Sequence, residues 1–417
     1  MTRLSKYRLV KFIMALSVLC VFILVYLGMI LGNLPGLALD RTGIALLGAI
    51  AIIILQNLSL KDAVMDIDAS SLAILFSFMI ISAQFYFSGF YTYVSQRMER
   101  WEISPSYFLL AIICISGILS AVLINDIVCL AMAPLLIQIC SKKKLDPVPF
   151  LIGLACGSNI GSALTLIGNP QNMLIGQLLN IPFAQYMLKA SVPCLVGTFI
   201  TWQIISWQTQ GRWYKDNHEI EVKSPLVDPW QCGKGIIVLI LLLTAFLTLD
   251  VPRDHASLIA AGFLLLSRQM ASRTMLSFID WQLLVLFVGL FIVNQEFNQS
   301  KILQSLVGTL KDQDINLYAP APLFILSALL SNLISNVPAV MLLAPFATDD
   351  FTGSLLAISS TLAGNMFILG SIANIIVINQ AANFGINITW KTHLAVDLPV
   401  SLTTLGVAGL WLYFLPR

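Results

Sequence analysis

Charge is what this 417-residue chain has little of: Asp, Glu, Lys and Arg make up 11% of it against 58% apolar residues, and its mean hydropathy is clearly positive. Soluble domains carry about 25% charged residues, so a globular domain with one anchor is excluded and an integral membrane protein is indicated. The net charge is only +2 and no basic stripe is present to follow a phosphate backbone, so no nucleic-acid partner is expected. Histidine is scarce: His218, His255 and His393 are scattered and form no HExxH pattern, which argues against a metalloenzyme. Cysteines 20, 114, 129, 140, 156, 194 and 232 contain no CxxC and fall almost entirely in apolar runs. They read as small buried hydrophobes rather than disulfide partners. No nucleophile–base or metal set stands out, so the chain is not read as an enzyme.

Long apolar runs are what the chain does have, and a membrane span needs ~20 such residues. Arg3, Lys6, Arg8 and Lys11 followed by an apolar run from Phe12 to Ile30 imitate a signal peptide. The run is too long for one and no A-x-A site follows, so a retained first helix is expected. Spans are expected near 12–31, 42–58 and 71–91, then an amphipathic connector with Arg97, Glu99 and Arg100. Segment 106–140 is interrupted at Asn125 and Asp126, segment 147–180 is broken by Gly and Asn, and a span follows at 183–206. Residues 207–231 form a hydrophilic linker. Beyond it come spans near 233–250, 255–269 and 281–298, a polar connector with Lys301, Lys311 and Asp312, a segment at 320–347, a broken segment at 354–383 and a last span at 394–415. Segment 106–140 reads as a re-entrant hairpin with Asn125 and Asp126 at its tip; one continuous helix with a buried Asn–Asp pair is the alternative.

The second half repeats the first. Gln84 and Gln295, Ser120 and Ser331, Asn125 and Asn336, and Pro134 and Pro345 are each 211 positions apart. The offset falls to 206 between Asn159 and Asn365, and to 202 between Gly168 and Gly370 and between Asn172 and Asn374. Residues 1–206 and 232–417 are therefore read as two repeats, each with three spans, a hairpin (106–140 or 320–347), a broken helix (147–180 or 354–383) and a final span. Five crossings per repeat is odd, so the halves should be inverted in the membrane. The expected fold is an all-α polytopic membrane protein of two inverted repeats, each with a re-entrant hairpin and a broken transmembrane helix. The Lys/Arg distribution narrowly favours an outside N-terminus, against the four basic residues that precede the first helix.

Polar clusters persist in apolar segments where they line a cavity, because an unsatisfied group in hydrocarbon costs several kcal/mol. Half-helix N-termini offer free N–H groups to an anion and unwound carbonyls offer oxygen to a cation. Asparagine both donates and accepts. On this basis the substrate-binding candidates are Asn125, Asp126, Asn169, Asn172, Ser335, Asn336, Ser371 and Asn374. The cation-binding candidates are Asn125, Asp126, Gly157, Asn159, Ser162, Asn336, Gly364, Asn365 and Gly370. Any one of these, taken singly, is as well explained by small-residue helix packing; the paired set points to an ion and substrate site. Asp126 is the ionisable residue of the four motifs and its repeat mate is Val337. It reads as a cation ligand or proton carrier, or else as a cap on the second hairpin helix at an aqueous mouth. Asp68, Asp280, Glu296 and Asp397 fall near expected span ends and are expected to be solvated.

The strings "IND…AP" with "GSALTLIGNPQN", and "SNVPAVMLLAP" with "GNMFILGSIAN", resemble the hairpins and unwound helices of the ion transporter superfamily. That group takes in divalent-anion:sodium symporters, citrate transporters, arsenite permeases and a branch of sodium/proton antiporters. "IGNPQN" and "SNVP" are most similar to the bacterial inner-membrane anion permeases. The resemblance implies a scaffold part, a mobile transport part with both hairpins, and elevator-type alternating access. It also implies Na+ sites at the two hairpin tips, at Asn125 with the loop near Gly157–Ser162 and at Asn336 with the loop near Gly364–Gly370. A small anion as substrate, Na+ or H+ as coupling ion, a multi-pass place in the cell inner membrane and a homodimer follow as expectations. The symporters' Ser-Asn-Thr tips are replaced here by Ile124-Asn125-Asp126 and Ser335-Asn336-Val337. Both threonines are gone and one tip carries an acid, which favours the arsenite-permease and antiporter branches over dicarboxylates. Within transport, the alternative is sodium/proton antiport through Asp126.

Overall fold

A backbone in hydrocarbon must satisfy its own amides, and this chain does so almost wholly as helix. The computed structural model describes residues 3–32, 36, 38–215, 220–313 and 316–415, with backbone alone for 3–12, 301, 304, 306 and 310. His218 and the side chains of Arg3, Lys6, Arg8, Lys11 and Lys301 lie outside the described residues. The first half holds α1 (Arg3–Leu31), α2 (Arg41–Gln56), α3 (Leu60–Met65), α4 (Ala69–Phe87), α5 (Phe90–Glu99), α6 (Pro105–Val122), α7 (Asn125–Lys142), α8 (Pro147–Ser162), α9 (Pro170–Leu178) and α10 (Phe183–Thr209). The second half answers each in order with α11 (Pro229–Thr248), α12 (Arg253–Leu265), α13 (Ser272–Ser277), α14 (Trp281–Gln299), α15 (Lys301–Asp312), α16 (Pro320–Ile334), α17 (Asn336–Leu343), α18 (Asp350–Ala363), α19 (Ile372–Asn383) and α20 (Trp390–Phe414). Short 3-10 turns at Ala344–Phe346 and Ile368–Gly370 complete the second half. Among the described residues eight helices are long and apolar enough to cross a membrane.

The starts of these helices are written in the sequence. Asp40, Asp68, Asp228 and Asp280 cap α2, α4, α11 and α14 by accepting main-chain N–H bonds, and α6, α8, α9, α11 and α16 open on proline. Asp68 and Asp280 thus sit at span ends as expected. Asp397 does not: it lies within α20 with 0% of its surface exposed, and the expectation of a solvated carboxylate is corrected. The expected span at 71–91 is two helices, α4 and α5, jointed at Ser88 and Gly89. The broken segment starts at Asp350 rather than 354 because Asp349 and Thr352 form a capping box. The six-residue α3 and α13 are too short to leave a periodic pattern.

Packing exchanges the fourth helix of each half: α14 lies against α1 and α2, while α4 lies against α11 and α12. The remaining helices form a second group in which α6 and α7 pack on α8, α16 packs on α18, α7 meets α19, and α10 runs along α20. The repeat mates α10 and α20 are antiparallel. Gln208 near the end of α10 donates to the Ala395 carbonyl near the start of α20 at 2.7 Å, and Trp411 near its end donates to the Lys189 carbonyl at 3.0 Å. The two halves are therefore inverted with respect to each other.

The same reasoning settles segment 106–140. Lys142 pairs with Glu99 at 2.8 Å and the Lys143 ammonium donates to the Trp101 carbonyl at 2.9 Å, so the far end of α7 returns to where α6 began. It is a helical hairpin, not one continuous helix, and the break falls at Leu123 and Ile124. The linker after α10 stays on that side: Tyr214 pairs with Leu145, and the Lys215 amide donates to the Lys144 carbonyl at 3.0 Å. The base of the other hairpin, α16–α17, lies by the opposite ends of α10 and α20, where Lys189 donates to the Asp350 carbonyl at 3.2 Å. The two hairpins enter the bundle from opposite sides.

Candidate functional site

Both helix breaks leave carbonyls without helical partners, and one asparagine in each half repairs them. The Asn172 amide donates to the carbonyls of Ser162 and Thr165 at 3.2 and 2.9 Å, ten and seven residues before it. Asn374 donates to the carbonyls of Gly364 and Phe367 at 3.0 and 3.3 Å, again ten and seven residues before it. Both side chains are wholly buried. An unpaired buried carbonyl costs about 1–3 kcal/mol, so these two residues hold the broken helices in shape. Of the expected substrate ligands, these two direct their amide N–H groups to the main chain. Tyr186, from α10, joins the first repair by accepting from Asn172 at 3.0 Å and donating to the Ala163 carbonyl at 2.9 Å.

The hairpin tips dock on these breaks. The Asn125 amide N–H donates to the Gly168 carbonyl at 3.1 Å. In the repeat-related position the Asn336 side chain, its amide oriented to match the donors and acceptors around it, donates to the Gly370 carbonyl at 3.1 Å and to the Ser360 carbonyl at 3.1 Å. A Cβ on Gly168 would fall 2.4 Å from the Ser162 carbonyl and 2.6 Å from that of Ser120, so only glycine lets the break fold between its own helix and the hairpin. Gly157 is different. It lies inside α8, where a Cβ would meet the Ile113 carbonyl at 2.8 Å, so it is a contact point for α6.

Where the two halves meet, Asn159 is the hub. Its amide donates to Asn365 at 2.8 Å and to Asn374 at 3.0 Å; its oxygen accepts from Asn125 at 3.2 Å and from Ser371 at 2.9 Å. Asn159 and Asn365 are repeat mates, so the bond between them joins the equivalent points of the two repeats. A second bridge runs through Thr361, which takes bonds from Asn169 and Gln171 at 3.2 and 3.1 Å and donates to Asn172 at 3.2 Å. Asn169 also donates to Ser162 and caps α9 through the Asn172 amide. Gln171 donates to the Asn336 oxygen at 3.2 Å. Of the expected set, Asn125, Asn159, Ser162, Asn169, Asn172, Asn336, Gly364, Asn365, Gly370, Ser371 and Asn374 are brought together.

Asp126 and Ser335 stand apart from this network. Asp126 is half-buried in the first turn of α7 and makes no hydrogen bond among the described residues. The cap position is Ile124, so Asp126 is not the helix cap; its charge faces the positive end of the α7 dipole. Ser335 forms the second tip at φ 76° and ψ 159°, a region nearly reserved for glycine. Gln171, Thr361 and Tyr186 were missed. Gln171 lies inside a motif read for its neighbours, and the mates of Gln171 and Thr361 are Ala373 and Ala155, so neither shows in the repeat. Tyr186 sits outside the motifs altogether.

Two buried atoms at the hub have no partner: the Asn125 oxygen, an acceptor, and the Asn365 amide nitrogen, a donor. Buried polar atoms are nearly always satisfied, by protein or by ordered water, so both atoms are free to bond a further group. Around them converge the N-termini of α7, α9, α17 and α19 and the C-terminal ends of α6, α8, α16 and α18. Every hydrogen-bond partner given to the hub residues is an amide, a hydroxyl or a main-chain carbonyl. The site can take an oxygen-rich solute through N–H groups and a hard cation through oxygens.

The chain is 26% identical to the silicon efflux transporter LSI3 of Oryza sativa subsp. japonica, over 90% of this chain and 93% of that one. It is 29% identical to the inner membrane protein YbiR of Escherichia coli (strain K12), over 84% of this chain and 89% of the other. The crystal structure of the Alcanivorax borkumensis YdaH transporter, described as having an unusual topology, shares the fold at a TM-score of 0.60 and 14% identity, covering 97% of this chain and 98% of its own. The profile described as citrate transporter, CitMHS, matches residues 18–350. With its inverted halves and paired breaks, this multi-pass membrane protein belongs to the CitMHS citrate transporter family.

Proposed function

We propose that this protein is a secondary active transporter for a small oxyanion or its hydroxylated acid, driven by Na+ or H+. An unpartnered acceptor on Asn125 and an unpartnered donor on Asn365, both side chains bonded to Asn159, carry this reading. An oxyacid such as arsenite or silicate both donates and accepts hydrogen bonds, as this amide-and-hydroxyl site does. A di- or tricarboxylate brings charge that no Lys or Arg in the hub offsets, so weak inorganic oxyacids that stay largely protonated, such as arsenous and silicic acid, are favoured within the family. The rice relative, named for silicon efflux, is in keeping with that preference. Na+ fits the carbonyl and Asn oxygens at the two hairpin tips.

Elevator-type movement is supported by an asymmetry between repeat mates. Arg253, at the start of α12, donates to the carbonyls of Gly176 and Ile181 around the end of α9, tying scaffold to transport part. Its counterpart Arg41, at the start of α2, bonds the Met29 carbonyl inside the scaffold at 3.2 Å. A protein of inverted halves held at one end of its cycle has such unequal contacts. A cavity of about 280 Å³ between α4, α14, α9 and α17, lined by Asp66, Asp68, Asn294 and Met341, separates the two parts on one side. Sodium/proton antiport through Asp126 is the second reading, favoured by that unbonded carboxylate at a hairpin tip.

The test is uptake into liposomes of arsenite, silicate, sulfate, citrate and succinate under imposed Na+ or pH gradients. Saturable uptake of an inorganic oxyanion, strongest under one gradient, is expected. Saturation with the carboxylates alone would overturn the substrate class. Proton movement driven by Na+ with no solute present would put the antiporter in its place.

A further inference from the structure

A second cluster of ionisable side chains lies outside the hub, on the line between α20 and α8. Asp397 and His393 are one helical turn apart on α20, 0% and 3% exposed, with the His393 Nδ1 atom 3.3 Å from Asp397 Oδ2. The Cys156 thiol of α8 donates to Asp397 Oδ1 at 2.7 Å. Cys156 directly precedes Gly157, three residues before the hub Asn159. Two atoms of the cluster have no hydrogen-bond partner, His393 Nε2 and Asp397 Oδ2. An ionised carboxylate with one thiol donor and no Lys or Arg beside it is costly away from water, whereas a bound proton neutralises the pair.

A cleft lies next to the cluster. A cleft of about 320 Å³ is lined by Asp146, Ile152, Gln208, Arg212, Thr392 and Val396, and so reaches the residues that flank His393 and Asp397 on α20. Other ionisable groups on the packed elements are few. Cys129 of α7 stands near Cys156; Asp146, the cap of α8, and Arg212, just beyond the end of α10, line the cleft, while Lys189 of α10 lies at the opposite end by Trp411. Asp350, at the start of α18, lies with Lys189 at that far end, and the 3-10 turn at Ile368–Gly370 carries no ionisable side chain.

We propose that His393 and Asp397 form a proton-binding site that loads from the cleft and, through Cys156, reports its charge to the broken helix α8. The proton is carried by Asp397 Oδ2, with His393 Nδ1 3.3 Å away. Its loss leaves a carboxylate buried against α8 just before the hub, which favours a different packing of α8 on α20. Proton coupling then belongs to this cluster rather than to the Asp126 tip. The coupling part rests on the transport reading above; the proton site does not.

Infrared difference spectra of the purified protein after pH jumps read the site without any solute. The wild type should show a protonated-carboxyl band exchanging for carboxylate bands, absent in Asp397→Asn and shifted in midpoint by about one pH unit or more in His393→Gln. In liposomes, both variants should lose proton-driven accumulation about tenfold or more while retaining solute exchange at equal pH. If Asp397→Asn leaves the spectra unchanged, or both variants accumulate solute as the wild type does, the proposal is wrong. A titrating band lost in Asp397→Asn, in a protein that moves no solute, upholds the proton site and removes the transport reading. Should Asp397→Asn fail to fold, the midpoint shift in His393→Gln decides.

Discussion

At the scale of single residues, the asparagines divide into two kinds that look alike in sequence. Asn172 and Asn374 each hold two carbonyls of a helix break. Asn125 and Asn365 each leave one polar atom unpaired. Asn172→Ala or Asn374→Ala should lower stability by about 2–4 kcal/mol, read by thermal unfolding in detergent. Asn125→Ala should cost about 1 kcal/mol or less in the same assay yet reduce transport about tenfold or more. Equal unfolding losses in the two groups would erase the distinction. Ser335 gives a prediction of opposite sign. Replacing it with glycine should stabilise the protein by about 1 kcal/mol through relief of its positive φ, while Ser335→Ala should not. The repeat made Asn125, Asn159, Asn172 and their mates legible. It could not reveal Gln171 or Thr361, whose mates are alanines, and it could not say which amide faces a carbonyl and which faces nothing.

At the scale of elements, apolar runs and capping residues located nearly every helix, because burial in lipid is a property of windows of sequence. Hydropathy fails where the third dimension intervenes. It placed Asp397 near a span end, but α20 begins at Trp390, and Asp397 lies about 10 Å along the helix at 1.5 Å per residue, covered by α8. It also left open whether 106–140 crosses or returns; the Lys142–Glu99 pair decides for return. The inversion of the halves is testable in the same terms. Cysteine pairs at Gln208 with Ala395, and at Lys189 with Trp411, should be joined by a short thiol cross-linker in membranes, whereas Gln208 with Trp411 should not. Joining of the mixed pair would mean that α10 and α20 run parallel and that the repeats are not inverted.

For the whole molecule, the outward face is apolar, with Leu24, Ile54, Leu195, Ile237, Ile259 and Leu410 among its exposed side chains, and the polar groups are gathered at the junction of the two repeats. That distribution is the reverse of a soluble protein and follows from lipid as the surrounding solvent. The central claim is that a solute binds where the Asn125 tip, the Asn336 tip and the two breaks converge. It is tested most directly by solute-evoked charge movement in liposomes, comparing wild type with Asn125→Ala and Asn336→Ala. A saturable current is expected for a small oxyanion under a Na+ or pH gradient, reduced about tenfold or more in both variants. Wild-type currents in both variants would contradict it and move the site away from the hairpin tips.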